Sequence, residues 1–215
     1  MIIDLSSAIV LANACAPNVA PETLLSIVAI ESGFDPLIIG VNAAPPRAIK
    51  PATKDQAVRV ATELLAKGAS FDLGLGQINS RNLGWLGLSV RDAFDPCQNL
   101  AASARVLSDA YRRAVRQAGD EQSALQAALS IYNTGDRKSG FANGYVGRAV
   151  KAAARVVPAI SARATSLPPA PHERASPDAA PQALRPIPPW DAFARAKTRE
   201  PSFVFSPTST TGVSP

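Results

Sequence analysis

Residues 24–36 have the sequence LLSIVAIESGFDP, a run of apolar side chains that ends in glutamate, serine and glycine. Pro21 stands just before this run, where its fixed φ suits the first turn of a helix. Because apolar residues then occupy nearly every side, the pattern predicts a buried helix that ends at Glu31. Gly33 supplies a left-handed stop, and the following Asp-Pro pair turns the chain away. The segment therefore predicts one carboxyl group at the end of a buried helix.

Further helix signals lie on both sides of this segment. Apolar spacing, capping residues and terminating glycines predict helices over Asp4–Ala14, Thr53–Lys67, Asp95–Ala118, Asp120–Tyr132 and Gly144–Val157. Pro158 is expected to end the last of them, because proline removes a backbone donor from a helix interior. Leu37–Lys50 is short, apolar and broken by prolines, which favours a small β-hairpin or an extended lobe. The predicted fold class is mainly α.

The last quarter of the chain differs in composition from the rest. More than half of the 19 prolines in this 215-residue protein lie from Pro168 onward, where no helical period persists. We therefore predict a folded domain over residues 1–164 and a flexible, proline-rich tail over residues 165–215. The tail also carries apolar residues that a plain spacer does not need, namely Trp190, Phe193, Phe203, Val204 and Phe205. They indicate a docking segment.

Charge and composition limit the possible functions. The formal net charge of +5 suits a polyanionic partner, which can be nucleic acid, anionic lipid or a carboxylate-bearing cell-wall polymer. Nucleic acid is not expected, because the arginines are scattered along helical faces without a basic run and interleaved aromatics. The single histidine, His172, lies in the tail, and the two cysteines lack a metal-binding spacing. We therefore expect no metal, no cofactor and no histidine-based triad.

Glu31 is the first candidate for catalysis. Burial among the apolar residues of its helix disfavours the anion, and the carboxyl group sits at the negative end of the helix dipole. Both effects raise the pKa of Glu31, which is what a general acid near neutral pH requires. The alternative is a solvent-facing glutamate at a helix end, which is common.

Two other motifs carry groups that can bind a polar ligand. In Gly74-Leu75-Gly76-Gln77 the missing side chains let backbone approach a ligand, and the Gln77 amide offers a donor and an acceptor. Tyr132 and Asn133 end an amphipathic helix, from which a phenol can reach a pocket, and Tyr145 can stack on a sugar ring or pack in the core. The alternatives are an ordinary loop, a core-edge tyrosine and an asparagine that ends a helix.

Taken in order, the motifs Glu-Ser-Gly-Phe-Asp-Pro, Gly-Leu-Gly-Gln-Ile-Asn, Tyr-Asn and Gly-Tyr-Val resemble those of the soluble lytic transglycosylases of the goose-type lysozyme superfamily. Among these, the chain is most similar to the peptidoglycan transglycosylases associated with type IV secretion, as the segments Cys15–Pro21 and Asp95–Leu100 also indicate. The resemblance covers Leu5–Arg155 and does not reach the tail. It implies a lysozyme-like helical domain.

The resemblance implies that Glu31 is the only catalytic carboxyl group. It would give a proton to the oxygen between N-acetylmuramic acid and N-acetylglucosamine. It would then remove the proton of the muramoyl C6 hydroxyl, which closes a 1,6-anhydro ring without water. The substrate's own acetamido group would offset positive charge at the anomeric carbon, in place of a second carboxylate. Neither Asp35, before a proline turn, nor Asp72, beside the glycine turn, is expected to act as a partner acid.

The same resemblance implies substrate contacts for the other motif residues. Gln77 would line the region that binds the acetamido group, and Tyr132 would hydrogen-bond near the acid or the sugar. Asn133 would hold a strand end in place. The remaining substrate-binding candidates are Ser32, Asn42, Gly76 and Tyr145. Family members carry Met where this chain has Gly76, a change expected to open a subsite, and Ala where it has Ile131.

The implied function also bears on location, cysteines and partners. An extracytoplasmic site favours a disulfide between Cys15 and Cys97 over two buried thiols. The expected location is the periplasm, although Met1–Ala16 carries Asp4 and no preceding cation, unlike a secretory signal, so an upstream leader or another export route is needed. No apolar run is long enough for a membrane span. The expected partners are peptidoglycan strands and, through the tail, type IV secretion components.

Two rival functions stay open. One is a hydrolase of the same fold that cleaves the same bond with water. The other is a catalytically silent wall-binding assembly factor.

Overall fold

Helices dominate the computed structural model, which describes residues 2–166. Its α-helices are α1 (Leu5–Cys15), α2 (Pro21–Glu31), α3 (Lys54–Ala66), α4 (Leu83–Leu86), α5 (Pro96–Val115), α6 (Glu121–Thr134), α7 (Ser139–Ala142) and α8 (Tyr145–Ser166). Two 3-10 turns, Ser80–Asn82 and Asp92–Phe94, precede α4 and α5. The predicted mainly α fold class is confirmed. The predicted docking segment lies outside the described residues.

Four helices begin where the sequence places a capping side chain. Their caps accept hydrogen bonds from backbone N–H groups in the first turn, in the pairs Asp4 with Ser7, Thr53 with Gln56, Asp95 with Gln98 and Asp120 with Ser123. Each such cap stabilises its helix by about 1 kcal/mol.

Helices α8 and α5 do not end at the predicted residues. α8 continues through Pro158 to Ser166, so the expected stop at this proline is wrong. Both Pro158 and Ala154, whose carbonyl loses its helical donor, are exposed, and water can therefore replace the missing hydrogen bond. α5 ends at Val115, short of the predicted Ala118, because the chain tightens there into turns between residues three apart.

A small antiparallel sheet stands beside the helices. Its strands are β1 (Ile39–Val41), β2 (Arg47–Ile49), β3 (Phe71–Leu73) and β4 (Ile78–Asn79), in the order β2-β1-β3-β4. The predicted hairpin is the β1–β2 pair, and it is confirmed. β3 and β4 were not predicted, because strands of this length are too short to show a period-2 pattern. In the sheet Gly40 pairs with Asp72, which places the glycine turn beside β1.

The core consists of two apolar clusters. The larger one surrounds α2, whose Leu24, Leu25, Ile27 and Val28 are fully buried among residues of α1, α5, α6 and α8. The smaller one lies between the sheet and α3 and includes Phe71. The burial of α2 on nearly all sides agrees with its sequence pattern.

A disulfide joins Cys15, at the end of α1, to Cys97, in the first turn of α5, with the two Cα atoms 5.3 Å apart. It links elements that are 82 residues apart in the chain, which restricts the unfolded state strongly. None of the helices within residues 2–166 combines the length and apolarity needed to span a bilayer.

Candidate active site

A cleft of about 720 Å³ opens between the helical part and the sheet. Helices supply Glu31 from the end of α2 and Tyr132 and Asn133 from the end of α6. The sheet side supplies Asn42, Asp72, Gln77 and Asn79. The fold thus brings together Glu31, Asn42, Gln77, Tyr132 and Asn133 of the predicted set.

Glu31 is partly exposed to this cleft and held by one phenol. The hydroxyl of Tyr145 donates a hydrogen bond to Oε1 of Glu31 at 2.5 Å. Burial raises the pKa of Glu31 from 4.5 to about 7; the hydrogen bond from Tyr145 opposes that rise, while the charge of Asp72 adds to it and that of Arg148 opposes it. At neutral pH a large share of Glu31 therefore keeps its proton.

Tyr145 lies below the cleft and does not line it. It is only 2% exposed, at the start of α8, and burial raises the pKa of its hydroxyl well above the usual value. The phenol therefore stays protonated and can only donate to an ionised Glu31. Of the two predicted options for Tyr145, sugar stacking is excluded by this burial, whereas packing agrees with it.

Tyr132 hydrogen-bonds to the glycine turn and lies in the same cleft as Glu31. Its hydroxyl donates to the carbonyl oxygen of Gly76 at 2.7 Å. Burial raises the pKa of this hydroxyl, and the nearby charge of Glu31 adds to the rise. The resemblance implies that Tyr132 lies near the acid. The tyrosine that hydrogen-bonds to the acid is Tyr145. Two tyrosines at helix ends cannot be told apart by spacing, because only the packing of α8 against α2 brings Tyr145 to Glu31.

Gly76 is a packing residue and does not line the cleft. Its N–H donates to Oδ1 of Asn99 at 2.8 Å, and a Cβ atom added to it would collide with Ser103 and with Oη of Tyr132. The expectation that a glycine here opens a subsite is wrong, since the space is filled by α5 and α6. The glycine instead allows the turn to lie directly on these helices.

Gln77 holds the turn in a strained conformation at the edge of the cleft. Its φ of 48° is unusual for a residue with a side chain. Its Nε2 donates to the carbonyl oxygens of Gly74 at 2.9 Å and Ile38 at 3.2 Å, which ties the turn to β1. A side chain at Gly40 would collide with Oε1 of Gln77. The amide is therefore fixed in position in the wall of the cleft.

A carboxylate that the sequence analysis set aside lies in the same cleft. Asp72 accepts hydrogen bonds from Asn42, at 2.9 Å on Oδ2, and from Asn79, at 2.7 Å on Oδ1. Burial raises the pKa of Asp72, and the two amide hydrogen bonds oppose that rise. The sequence patterns did not predict a role for Asp72 or Asn79, nor the strand pairing that aligns them. The one signal that pointed to this site was an acid just before the glycine turn.

Ser32 and Asn133 both make local structural contacts, and Asn133 also lines the cleft. The Ser32 hydroxyl donates to the carbonyl of Val28 and accepts from the N–H of Phe34, both at 3.1 Å, so it closes the end of α2 outside the cleft. Asn133 belongs to a helix, so the expected strand-end role is wrong. Its Oδ1 accepts from Nδ2 of Asn143 at 3.0 Å, which joins the end of α6 to the loop before α8.

Within residues 2–166, no three His, Cys, Asp or Glu side chains converge where they could hold a metal ion. The chemistry that the cleft can perform with its own groups is proton transfer by a carboxyl group whose pKa lies near neutrality. The amide and hydroxyl groups around it suit a neutral polar ligand such as a sugar.

Residues 8–154 match the family model of the Transglycosylase SLT domain. This chain belongs to that family. The SLT match includes the whole of α2, the sheet and the part of α8 that carries Tyr145, so every cleft residue described above lies within it.

The chain is also similar to three curated proteins from different organisms. The chain is 47% identical over 135 residues to "Type IV secretion system protein virB1" of Brucella abortus biovar 1, a match that covers 62% of this chain and 56% of the relative. It is 43% identical over 152 residues to "Protein virB1" of Agrobacterium fabrum, covering 71% of this chain and 61% of the relative. It is 42% identical over 149 residues to "Protein virB1" of Rhizobium radiobacter, covering 69% and 62%.

The chain thus matches somewhat more than half the length of these relatives. No solved structure matches it.

Proposed function

We propose that this chain is a lytic transglycosylase that cleaves the β-1,4 bond between N-acetylmuramic acid and N-acetylglucosamine in peptidoglycan and forms a 1,6-anhydromuramoyl end. The observation that carries the proposal is Glu31, a carboxyl group with a pKa of about 7 that faces a polar cleft. Membership in the SLT family supports the same reaction class.

In the first step Glu31 donates its proton to the glycosidic oxygen, and the bond from this oxygen to the anomeric carbon breaks. The carbonyl oxygen of the substrate's acetamido group bonds to the anomeric carbon, which keeps positive charge from developing fully there. Glu31 is left as a carboxylate, and the hydrogen bond from Tyr145 stabilises it in that state.

In the second step the Glu31 carboxylate removes the proton of the C6 hydroxyl of the same sugar. The C6 oxygen attacks the anomeric carbon and displaces the acetamido oxygen, which closes the 1,6-anhydro ring and returns Glu31 to its protonated form. One carboxyl group with a pKa near neutrality serves both steps, because it must release and regain a proton in each cycle.

Asp72 has a supporting role in this scheme. Its negative charge raises the pKa of Glu31 and lies in the wall of the same cleft, so it also favours positive charge on the bound sugar. The asparagines on its two oxygens hold it in one orientation.

We further propose that the reaction occurs in the periplasm and opens the wall locally for a type IV secretion apparatus. The names of the Brucella and Agrobacterium relatives support this context. The link between the tail and secretion components stays a prediction.

A hydrolase is the second candidate, and Asp72 is the observation that favours it. A glycosidase that inverts configuration uses a second carboxylate to activate water, and the cleft contains two carboxyl groups. We favour the transglycosylase because both oxygens of Asp72 are already engaged by amide donors, which weakens it as a base.

Mass spectrometry of the muropeptides released from purified walls tests the choice. A transglycosylase gives ends that are one water lighter than those of a hydrolase. Products that all carry a reducing muramic acid would overturn the proposal in favour of the hydrolase. Release of nothing by the wild-type chain would favour the silent assembly factor.

A further inference from the structure

A second groove, of about 500 Å³, lies next to the cleft and shares one residue with it, Trp85. One wall is the end of α1 and the segment that follows it, from Cys15 to Asn18. The other wall is the face of α5 that carries Ala101, Arg105 and Arg112. The disulfide from Cys15 to α5 holds the two walls together. The groove thus adjoins the cleft at Trp85, and a covalent bond fixes its two walls.

The ring of Trp85 is exposed and fixed at this junction. The residue is 50% exposed, its indole N–H donates to Oδ1 of Asn82 at 3.0 Å, and the guanidinium of Arg105 lies 5.7 Å from its ring. Arg105 is itself held by the carbonyl oxygen of Leu86 at 2.8 Å. A large apolar ring that is held rigidly at a solvent boundary has the properties of a stacking surface for the face of a sugar.

The groove beyond Trp85 carries an excess of positive charge. On this part of α5, Asp109 pairs with Arg112 at 3.1 Å and with Arg113 at 3.2 Å. Arg105 contacts a carbonyl oxygen and an aromatic ring, neither of which neutralises its charge. Because Asp109 and Arg113 line the cleft, the groove itself is lined by two guanidinium groups and no carboxylate, which suits a ligand that bears carboxylates.

We propose that this groove binds the carboxylate-bearing stem peptide of a peptidoglycan strand, while Trp85 stacks on the sugar beside it. The inference rests on the proposed function, because the strand must lie in the cleft for its branch to reach the groove. Arg105 and Arg112 face the peptide carboxylates, and the alanine and proline side chains of the groove contact its small apolar groups. The enzyme thereby prefers strands that carry peptides over bare ones.

The first test compares two substrates, glycan strands with their stem peptides and the same strands stripped by an amidase. Arg112→Gln raises KM for the peptide-bearing strands about threefold and leaves KM for the stripped strands unchanged, as expected for one exposed charged contact. Trp85→Ala raises KM about tenfold for both, with kcat nearly constant. Arg116→Gln is the matched control, since it removes the same charge from an exposed position directly after α5 and outside the groove, and it changes neither KM.

The second test measures binding without turnover. The chain has two tryptophans, so a Glu31→Gln, Trp190→Phe variant leaves Trp85 as the only fluorescent indole. A peptide-bearing disaccharide and chitohexaose, which has no carboxylate, both shift its emission on binding. Adding Arg112→Gln weakens the affinity for the first probe and leaves that for chitohexaose unchanged.

The outcomes separate the two proposals. Equal effects of Arg112→Gln on both substrates, or no effect on either, would overturn the peptide site even if the walls are lysed to anhydro products. The wild-type chain can also fail to lyse walls while the Trp85 emission still shows that Arg112→Gln weakens the affinity for the peptide-bearing probe alone. That result would support the groove and overturn the proposed reaction. Melting curves of each variant that match the wild type show that the fold is intact.

Discussion

The helical wall and the sheet wall of the cleft each hold a carboxyl group whose pKa is raised by burial, but they give it different hydrogen bonds. On the helical wall, Glu31 ends an apolar helix and receives one hydrogen bond, so burial prevails and its pKa rises to about 7. On the sheet wall, Asp72 is also buried but receives an amide on each oxygen. The difference shows how two acids in one cleft can take separate roles, one that exchanges a proton and one whose rise in pKa is opposed by an amide on each oxygen.

Removing the acid of the helical wall is the strongest test of this comparison. Glu31→Gln is expected to lower the rate of wall lysis about a thousandfold, because the amide cannot donate a proton to the leaving oxygen. Turbidity of a wall suspension measures the rate. Lysis at more than a tenth of the wild-type rate would show that another group is the acid.

The same variant should change how stability depends on pH. Glu31 has a higher pKa in the folded protein than in the unfolded chain, so its contribution to stability is complete below pH 4.5 and is lost as the pH rises towards 7. The loss reaches up to about 3 kcal/mol. We expect the melting temperature of the Gln variant relative to wild type to increase over this interval, measured by calorimetry. A difference that is constant with pH would contradict the burial of Glu31.

Adding a side-chain carbon at Gly76 tests whether the glycine turn must lie directly on α5 and α6. Gly76→Ala introduces a Cβ atom against Ser103 and Tyr132, which should destabilise the protein by about 1 to 3 kcal/mol. Gly84→Ala is the matched control, because it lies in α4 with no atom within 4 Å of the added carbon and should not destabilise. Urea unfolding of both variants measures the difference. Equal stability of the two would show that the turn relaxes freely.

Neutralising the acid of the sheet wall should shift the activity of the other wall. Asp72→Asn removes a negative charge that raises the pKa of Glu31, so the alkaline limb of the pH–rate profile moves to lower pH. At pH 7 the rate falls about tenfold, since less Glu31 is protonated and cationic charge on the sugar is less favoured. Asp35→Asn is the control, because Asp35 contacts the N–H of Leu37 and lies outside the cleft. An unchanged alkaline limb would show that the charge of Asp72 does not affect the pKa of Glu31.

The smallest expected effect has the opposite sign. Tyr145→Phe removes a hydrogen bond that lowers the pKa of Glu31, so the alkaline limb should move to higher pH and the rate at neutral pH should change only a few-fold. Tyr132→Phe, which breaks a bond to a backbone carbonyl, should leave the limb in place. A shift with Tyr132→Phe and none with Tyr145→Phe would reverse the assignment of the two tyrosines.

The local part of the fold could be predicted from the sequence. Helix starts follow from capping residues and prolines, and the burial of α2 follows from its unbroken apolar surface. Predictions of helix ends and short strands failed where solvent exposure or pairing with a distant segment determines the local structure. Pro158 is tolerated because its face of α8 is exposed, and strands β3 and β4 are too short to have a recognisable pattern.

The same division holds for the site. Glu31 was predicted because a carboxyl group at the end of an apolar helix is a local feature. The roles of Tyr132, Tyr145 and Gly76 were not, because each depends on contacts between residues 23 to 114 positions apart in the chain or on clashes with another helix. Asp72 was visible in the sequence, but only the pairing of β1 with β3 places it in the cleft.

The sequence alone determined that a buried helix ends in an acid, that a glycine turn follows and that helices make up most of the domain, because these depend on side-chain pattern and backbone preference over a few residues. The tertiary structure decided which tyrosine holds the acid, that a second carboxylate faces it and that Trp85 joins the cleft to a basic groove. These depend on distances across the fold, and electrostatic and hydrogen-bond energies are set by such distances.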